Sequence, residues 1–137
     1  MLALEMDNSA VKSFMGKILR EDIFDAFEVR TVEISVAANI TIEAPAPTPW
    51  RDLRPMLFEI IKLSGKPKQM KIVLSRPNPE DVHENAAALF LNMIYENDGI
   101  TFTTATSQKQ FALNKDIDIL WDDRIRGFFK NFPIRDR

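Results

Sequence analysis

The chain has 137 residues, 45% of them hydrophobic and 28% charged, and 18 basic against 20 acidic residues give a formal net charge of −2. This length predicts one globular domain spanning 1–137, and the charge balance excludes the strong basic excess of a general nucleic-acid binder. The absence of cysteine excludes disulfides, zinc–thiolate sites and thiol nucleophiles, and the single histidine, His83, excludes a site built on two imidazoles.

The start of the chain carries no recognisable targeting signal. Glu5 and Asp7 interrupt the N-terminal apolar residues too early for a secretory signal, and no run reaches the roughly 18 apolar residues of a membrane helix. We therefore expect a cytoplasmic protein with no membrane partner.

Hydrophobic periodicity predicts a strand, a helix and a hairpin in the first third of the chain. Residues 2–6 alternate weakly, as in a short strand, and 22–27 form either a last helical turn or a second short helix. From Glu28 to Val36 β-branched residues alternate, which is typical of a strand, and a turn at 38–39 leads to a second strand. The helical face between these elements consists of Val11, Phe14, Met15, Ile18 and Leu19.

A proline-rich loop is predicted at 44–49, because three prolines within five residues remove backbone donors and favour extended geometry. A second helix should follow, with Asp52 as its N-cap, Pro55 in its first turn and Gly65 just beyond its end. Its apolar face consists of Leu53, Met56, Leu57, Ile60 and Ile61.

The remaining elements are a strand at 70–74, a turn at 78–81, paired strands, and a last helix. Residues 86–96 combine helix-favouring alanines with alternating apolar positions, but the Asp98–Gly99 turn signal favours strands at 89–96 and 100–106, with a third at Gln110–Leu113. One apolar helical face extends from Ile117 to Phe132. Together the elements predict an α+β fold: a mostly antiparallel sheet of about six strands with about three helices packed on it.

Three blocks of this sequence resemble a family of uncharacterised bacterial proteins known as a domain of unknown function. The blocks are Val11–Leu19 with Asp22–Asp25, then Trp50 through Arg54-Pro55 to Lys62, and Leu89–Asn92 through Thr103–Ser107, Phe111 and Lys115 to Trp121-Asp122. The resemblance implies a shared fold and no particular activity. Ala105 stands where the family pattern has glycine, Asn114 where it has aspartate, and 38–48 is shortened, so a site built on those positions would be lost.

The largest local charge imbalance lies between Ile60 and Pro79, which contains no acidic residue. Such a segment can attract a phosphate or an acidic partner, although it lacks a glycine-rich phosphate loop and the interleaved aromatic residues of single-strand binders. A solvated basic edge is the simpler interpretation. The candidate ligand-binding residues are Lys62, Lys66, Lys68, Lys71 and Arg76.

A candidate partner-binding anchor follows the proline-rich segment. Trp50, flanked by prolines and by Arg51 and Arg54, either lies exposed as an interaction anchor or packs onto the helix that starts beside it.

Other polar groups have simpler structural explanations than chemistry. His83 beside Glu80 favours a solvated loop histidine over a metal ligand. Asp118 and Asp122 lie four residues apart, as a cation site would allow, but acidic residues early in a helix are explained by their favourable interaction with the helix dipole. The hydroxyl cluster is explained by strand propensity rather than by a nucleophile activated by Lys109; it consists of Thr103, Thr104, Thr106 and Ser107. No catalytic residue, metal site or cofactor is predicted.

The lack of an acid, base and nucleophile set, together with the abundant apolar residues, predicts a non-enzymatic interaction or self-association domain with a protein partner or a homo-oligomer. The alternative is a protein, enzyme or not, that binds a small molecule or phosphate ligand through the basic segment 62–76. Nucleic-acid binding ranks third.

Overall fold

Three helices and a seven-stranded antiparallel sheet make up the computed structural model, which describes residues 1–137. The predicted α+β fold is confirmed, with seven strands in place of about six. The strands are β1 (Ala3–Met6), β2 (Glu28–Ser35), β3 (Asn39–Pro49), β4 (Gln69–Ser75), β5 (Ala86–Glu96), β6 (Gly99–Gln108) and β7 (Ile134–Asp136). The helices are α1 (Val11–Arg20), α2 (Trp50–Ser64) and α3 (Asp116–Phe128), with short 3-10 turns at Asn8–Ala10 and Pro79–Asp81. The sheet order is β3-β2-β4-β5-β6-β1-β7.

One face of the sheet is apolar and carries the helices. Register places the buried side chains of Val32, Ile72, Met93, Phe102 and Leu4 side by side across five strands. Because side chains alternate along a strand, their neighbours in sequence form the other, more polar face. All three helices contribute to the same hydrophobic core as the apolar face, so the helices lie in one layer.

Aromatic rings fill much of the space between the helices and the sheet. Phe14 meets Phe24, Phe102 and Phe132 edge to face at 5.8–5.9 Å between ring centroids. Trp121 fastens α3 to the sheet, since its indole Nε1 donates to the backbone oxygen of Phe90 at 2.8 Å. No helix of the structure combines the length and the apolar character needed to cross a membrane.

The loop predicted at 44–49 is instead the second half of β3, the outermost strand. β3 pairs with β2 through residues 39–43 and 48–49, while residues 44–47 lie opposite a single residue, Arg30, as a wide bulge. An edge strand and a bulge are the places where a sheet accepts prolines, which explains why this segment can remain extended.

The start of α2 also differs from the prediction. The helix begins at Trp50, two residues before the predicted cap Asp52, and Pro55 lies past the first turn. The backbone N–H of Trp50 donates to the oxygen of Phe27 at 3.0 Å, so a neighbouring turn satisfies this amide in place of a capping side chain. Gly65 ends the helix as predicted, with φ at 82°.

The strand predicted at Gln110–Leu113 is wrong. The backbone of Gln110 is bonded at both its N–H and its oxygen by the side-chain amide of Asn85, at 3.0 and 2.8 Å, and Phe111 and Leu113 point into solvent. With neither a strand partner nor a core-facing side, this segment forms a loop.

Three other elements also differ from the prediction or resolve it. Residues 86–96 are strand throughout. α3 ends at Phe128, before the last residues of the predicted apolar face, and β7 has no counterpart in the prediction.

The β5–β6 hairpin is confirmed, but its turn lies one residue earlier than predicted. Glu96 pairs with Gly99, so Asn97 and Asp98 are the two central residues, with φ at 51° and 61°. Asparagine and aspartate tolerate this left-handed conformation, as a two-residue turn between strands requires. The tight turn fixes where the Asp98 carboxylate points.

Candidate ligand-binding cleft

α1 and α2 meet at one end and leave a cleft at the other. At the closed end, the indole Nε1 of Trp50 donates to the oxygen of Ile18 at 2.9 Å, and Arg54 reaches the oxygen of Leu19 at 3.4 Å. Beyond this contact, α1, α2 and the β5–β6 turn surround a cleft of about 820 Å³. Its volume is in the range of small-molecule sites.

The floor of the cleft is apolar. Val11, Met15 and Leu19 repeat every four residues along α1, and Phe58 and Ile61 face them from α2. Met15, Phe58 and Ile61 are only half-buried, so they present apolar surface to anything that enters the cleft.

The rim of the cleft is cationic. Lys12 and Arg20 come from α1, Lys62 from α2 and Lys66 from the segment after it, and all four are exposed. The only acidic residue in the lining is Asp98. Every ion pair of the structure involves other cations, and no carboxylate lies within 4.0 Å of Lys12, Arg20 or Lys62. The rim therefore carries three cations with no direct counter-charge.

Gly16 allows the Arg20 side chain to lie flat along α1. The guanidinium Nε of Arg20 donates to the oxygen of Gly16 at 3.3 Å, and a Cβ at position 16 would come within 2.7 Å of its Nη2. The missing side chain thus leaves room for a guanidinium at the rim.

A second small cluster closes the end of the cleft at the β5–β6 turn. The Asp98 carboxylate pairs with the Lys66 ammonium and accepts a hydrogen bond from the Tyr95 hydroxyl at 3.3 Å. The hydrogen bond from Lys66 lowers the pKa of Asp98, and the same bond raises the pKa of Lys66. Burial raises the pKa of Tyr95, so its hydroxyl stays protonated as a donor.

The structure separates the five basic residues predicted as one ligand site. Lys62 and Lys66 line the cleft, whereas Lys68 lies outside it. Lys71 lies on the polar sheet face, where it opposes Glu33 and borders a second depression of about 500 Å³. Arg76 follows the far end of β4, and its Nε is buried without a hydrogen-bond partner. The length of β4 explains much of the separation, because Lys68 precedes the strand, Lys71 lies on it and Arg76 follows its last residue.

Trp50 is not an exposed anchor. Its side chain is fully buried and bonded to α1, which is the packed alternative considered for it. Arg54 is engaged as well, because its guanidinium binds both oxygens of Asp25 at 3.0 and 3.2 Å. Of the three predicted partner-binding residues, only Arg51 has an exposed side chain, which approaches Asp52 at 4.0 Å. The indole of Trp50 completes the core, so it offers no exposed surface.

The remaining polar candidates perform structural roles. The Nδ1 of His83 accepts the backbone N–H of Asn85 at 3.0 Å, and Glu80 pairs with Lys109 at 3.3 Å rather than with the imidazole. A hydrogen bond from the backbone lowers the pKa of Glu80, and the Lys109 ammonium beside the carboxylate lowers it further.

The threonine cluster and the paired aspartates bind each other. The hydroxyl of Thr104 donates to Asp122 at 2.6 Å and accepts the backbone N–H of Leu2 at 2.9 Å, while Thr106 donates to Asp118. These bonds hold α3 and the first residues of the chain against β6.

Sequence reasoning missed the α1 half of the cleft. Lys12, Gly16 and Arg20 repeat every four residues beside the apolar stripe of Val11 and Met15, so one face of α1 combines an apolar and a basic edge. This spacing was the available signal, whereas the pairing of α1 with α2 is a tertiary contact that spacing does not encode.

These features define an α+β protein with a cation-rimmed apolar cleft between two helices. The profile of a family of unknown function (DUF5721) matches residues 41–135, and the chain belongs to this family. The predicted membership of a family of unknown function is thereby confirmed, although the block 11–25 lies outside the matched range. That range includes the α2 wall and Asp98 but not α1. No curated protein and no solved structure matches the chain.

Proposed function

We propose that the protein binds a small organic anion in the cleft between α1 and α2. The observation that carries the proposal is the combination of an apolar floor with a rim on which Lys12, Arg20 and Lys62 have no carboxylate partner. Small-molecule sites are mostly apolar concavities with a few polar groups that fix orientation, and uncompensated cations at such a site favour a negative ligand.

Thermal unfolding tests this proposal directly. A ligand at 100 times its Kd stabilises the native state by about 2.7 kcal/mol, which for a chain of this length raises Tm by roughly 9 °C. We expect organic acids or phosphorylated compounds to raise Tm and their neutral analogues to have little effect.

Lys62→Glu reverses a rim charge, whereas Lys68→Glu makes the same change outside the cleft and serves as the control. The Tm shift should become smaller in the first variant and stay unchanged in the second. Absence of a shift with every anion, or an equal loss in both variants, would contradict binding in the cleft.

A second candidate function is self-association, which one exposed apolar segment favours. Phe111 and Leu113 are 85% and 86% exposed, and Ile119 and Leu120 on α3 are 57% and 41% exposed. Exposed apolar groups clustered within ten residues are typical of interaction surfaces.

We propose a second copy of the chain as the partner of this segment. Among residues 111–123, the exposed acids Asp116 and Asp123 outnumber the one exposed base, Lys115, so the segment is complementary in charge to the cation-rimmed cleft and not to itself. Such a head-to-tail contact is heterologous.

Sedimentation velocity distinguishes this contact from a symmetric one. Leu113→Ser damages the apolar segment and Lys62→Glu damages the cleft, so each variant alone should not associate. In a mixture of the two variants, the intact segment of the Lys62→Glu chain can bind the intact cleft of the Leu113→Ser chain, and one contact should be restored. A wild-type chain that remains monomeric at all accessible concentrations excludes self-association.

We place the protein in the cytoplasm of a bacterium. The absence of cysteine suits a reducing compartment, and a bacterial origin is what the sequence resemblance implies. Fractionation of cells that express a tagged chain tests the location.

A further inference from the structure

The floor of the cleft is long as well as apolar. Val11 and Leu19 are eight residue steps apart on α1 with Met15 midway, and at 1.5 Å per step this stripe is about 12 Å long. Met15 is flexible and can adapt to an irregular apolar ligand. Apolar side chains placed in line along one helix can cover an extended tail over its whole length.

The cations are concentrated at one end of this floor. α2 begins beside the end of α1, as the Trp50–Ile18 bond shows, so the C-terminal end of α2 returns towards the start of α1. This antiparallel course brings Lys62 to the same end as Lys12, where Lys66 and Asp98 also line the cleft. Arg20 lies towards the opposite end.

We propose that the ligand is a single-chain amphiphile with an acid head group, either a carboxylate or a phosphate monoester. Its tail lies along the α1 stripe and its head lies between Lys12 and Lys62. This inference rests on the proposed function and adds the chemical class of the ligand. Lys66 contributes less to the head group, because its ammonium is already paired with Asp98.

The open cleft covers a tail on one side only. Full burial of a methylene strengthens binding about fourfold, so half-burial should give about twofold per methylene. The gain should stop at roughly ten carbons, when an extended chain has covered the 12 Å stripe. The head group should add about tenfold relative to the uncharged alcohol of equal length, because two cations without direct counter-charge face it.

Displacement of 1-anilinonaphthalene-8-sulfonate, followed by its fluorescence, measures these affinities. The series contains straight-chain carboxylates of four to fourteen carbons, the matching alcohols and the matching alkyl phosphates, all below their micelle-forming concentrations. The two acid series identify which head group is preferred. Lys62→Glu and Lys12→Glu should each weaken binding of acids several-fold and leave binding of alcohols unchanged, whereas Lys68→Glu should change neither.

Five results overturn the inference, and they separate it from the proposed function. Equal affinity for alcohols and acids removes the head-group assignment, and affinity that does not depend on tail length removes the tail assignment; in both cases ligand binding in the cleft stands. Failure of every compound to displace a bound probe means that another anion class occupies the cleft. If neither the probe nor any compound binds, the proposed function fails too. A wild-type chain that sediments as a dimer and binds the probe only on dilution assigns the cleft to a second copy.

Discussion

Replacing Asp98 by asparagine should strengthen anion binding, although it removes an ion pair. The substitution deletes the only carboxylate in the lining of the cleft and leaves Lys66 without a counter-charge, so the rim gains one net positive charge. The fold should tolerate it, because asparagine suits the left-handed φ of 61° at this turn and still accepts a hydrogen bond from Tyr95. An ion pair as exposed as this one contributes little to stability.

The expected gain follows from Coulomb's law. One unit charge at about 6 Å from the anion in water changes Kd about threefold. Salt should reduce the gain, since the Debye length falls from roughly 20 Å at about 20 mM to about 8 Å at 150 mM.

Fluorescence titration with 1-anilinonaphthalene-8-sulfonate at both salt concentrations measures this effect. Glu96→Gln is the matched control, because it removes the same charge from the same hairpin, but its carboxylate lies outside the cleft and accepts a bond from Gln69 at 3.1 Å. Since Lys66 holds the pKa of Asp98 below its usual value, Asp98 stays charged and the ratio of wild-type to variant Kd should be constant between about pH 5 and 8. An unchanged or weaker affinity in Asp98→Asn, or an equal gain in Glu96→Gln, would refute the electrostatic account of the rim.

Three further predictions concern stability and are measured by thermal unfolding. Gly16→Ala should raise stability by about 0.5–1 kcal/mol, or roughly 2–3 °C in Tm, because alanine favours a helix more than glycine does and only the flexible end of Arg20 must move to make room. A lower Tm would show that this guanidinium cannot relocate. Trp50→Phe should cost about 2–4 kcal/mol, since it leaves a cavity and removes the donor to the oxygen of Ile18, and a loss below 1 kcal/mol would contradict its role in joining α1 and α2. Thr104→Val should cost about 1–3 kcal/mol through unsatisfied partners of its buried hydroxyl, while Thr104→Ser should retain those bonds; equal losses would show that packing alone matters there.

Most of the fold follows from local patterns in the sequence. The four-residue and three-residue spacing of apolar side chains predicts α1 and the start of α3, and alternation predicts β2 and β4, because each pattern directs one side of an element to the core. The turn signal at Asp98–Gly99 predicts β6. The errors arise where distant partners decide the outcome. Asn85 holds the backbone at Gln110, and the oxygen of Phe27 accepts the first amide of α2. Neither interaction can be predicted from the residues next to it in the sequence.

The cleft was predictable only in part for the same reason. The charge imbalance after Ile60 drew attention to Lys62 and Lys66, but a linear segment of basic residues does not reveal that α1 supplies Lys12 and the apolar floor. A large apolar residue beside prolines is equally compatible with exposure and burial. Trp50 is buried because its indole bonds to α1, a tertiary contact.

The outer edges of the sheet limit how this protein can meet another chain. β3 carries prolines at positions 45, 47 and 49, which cannot donate backbone hydrogen bonds, and the opposite edge is the three-residue strand β7. A strand from another chain could therefore form only part of the backbone hydrogen bonds at either edge, and extension of the sheet into a partner or a fibril is disfavoured. Recognition is left to side chains, and the helical layer that contains the cleft is where they present both charge and apolar surface.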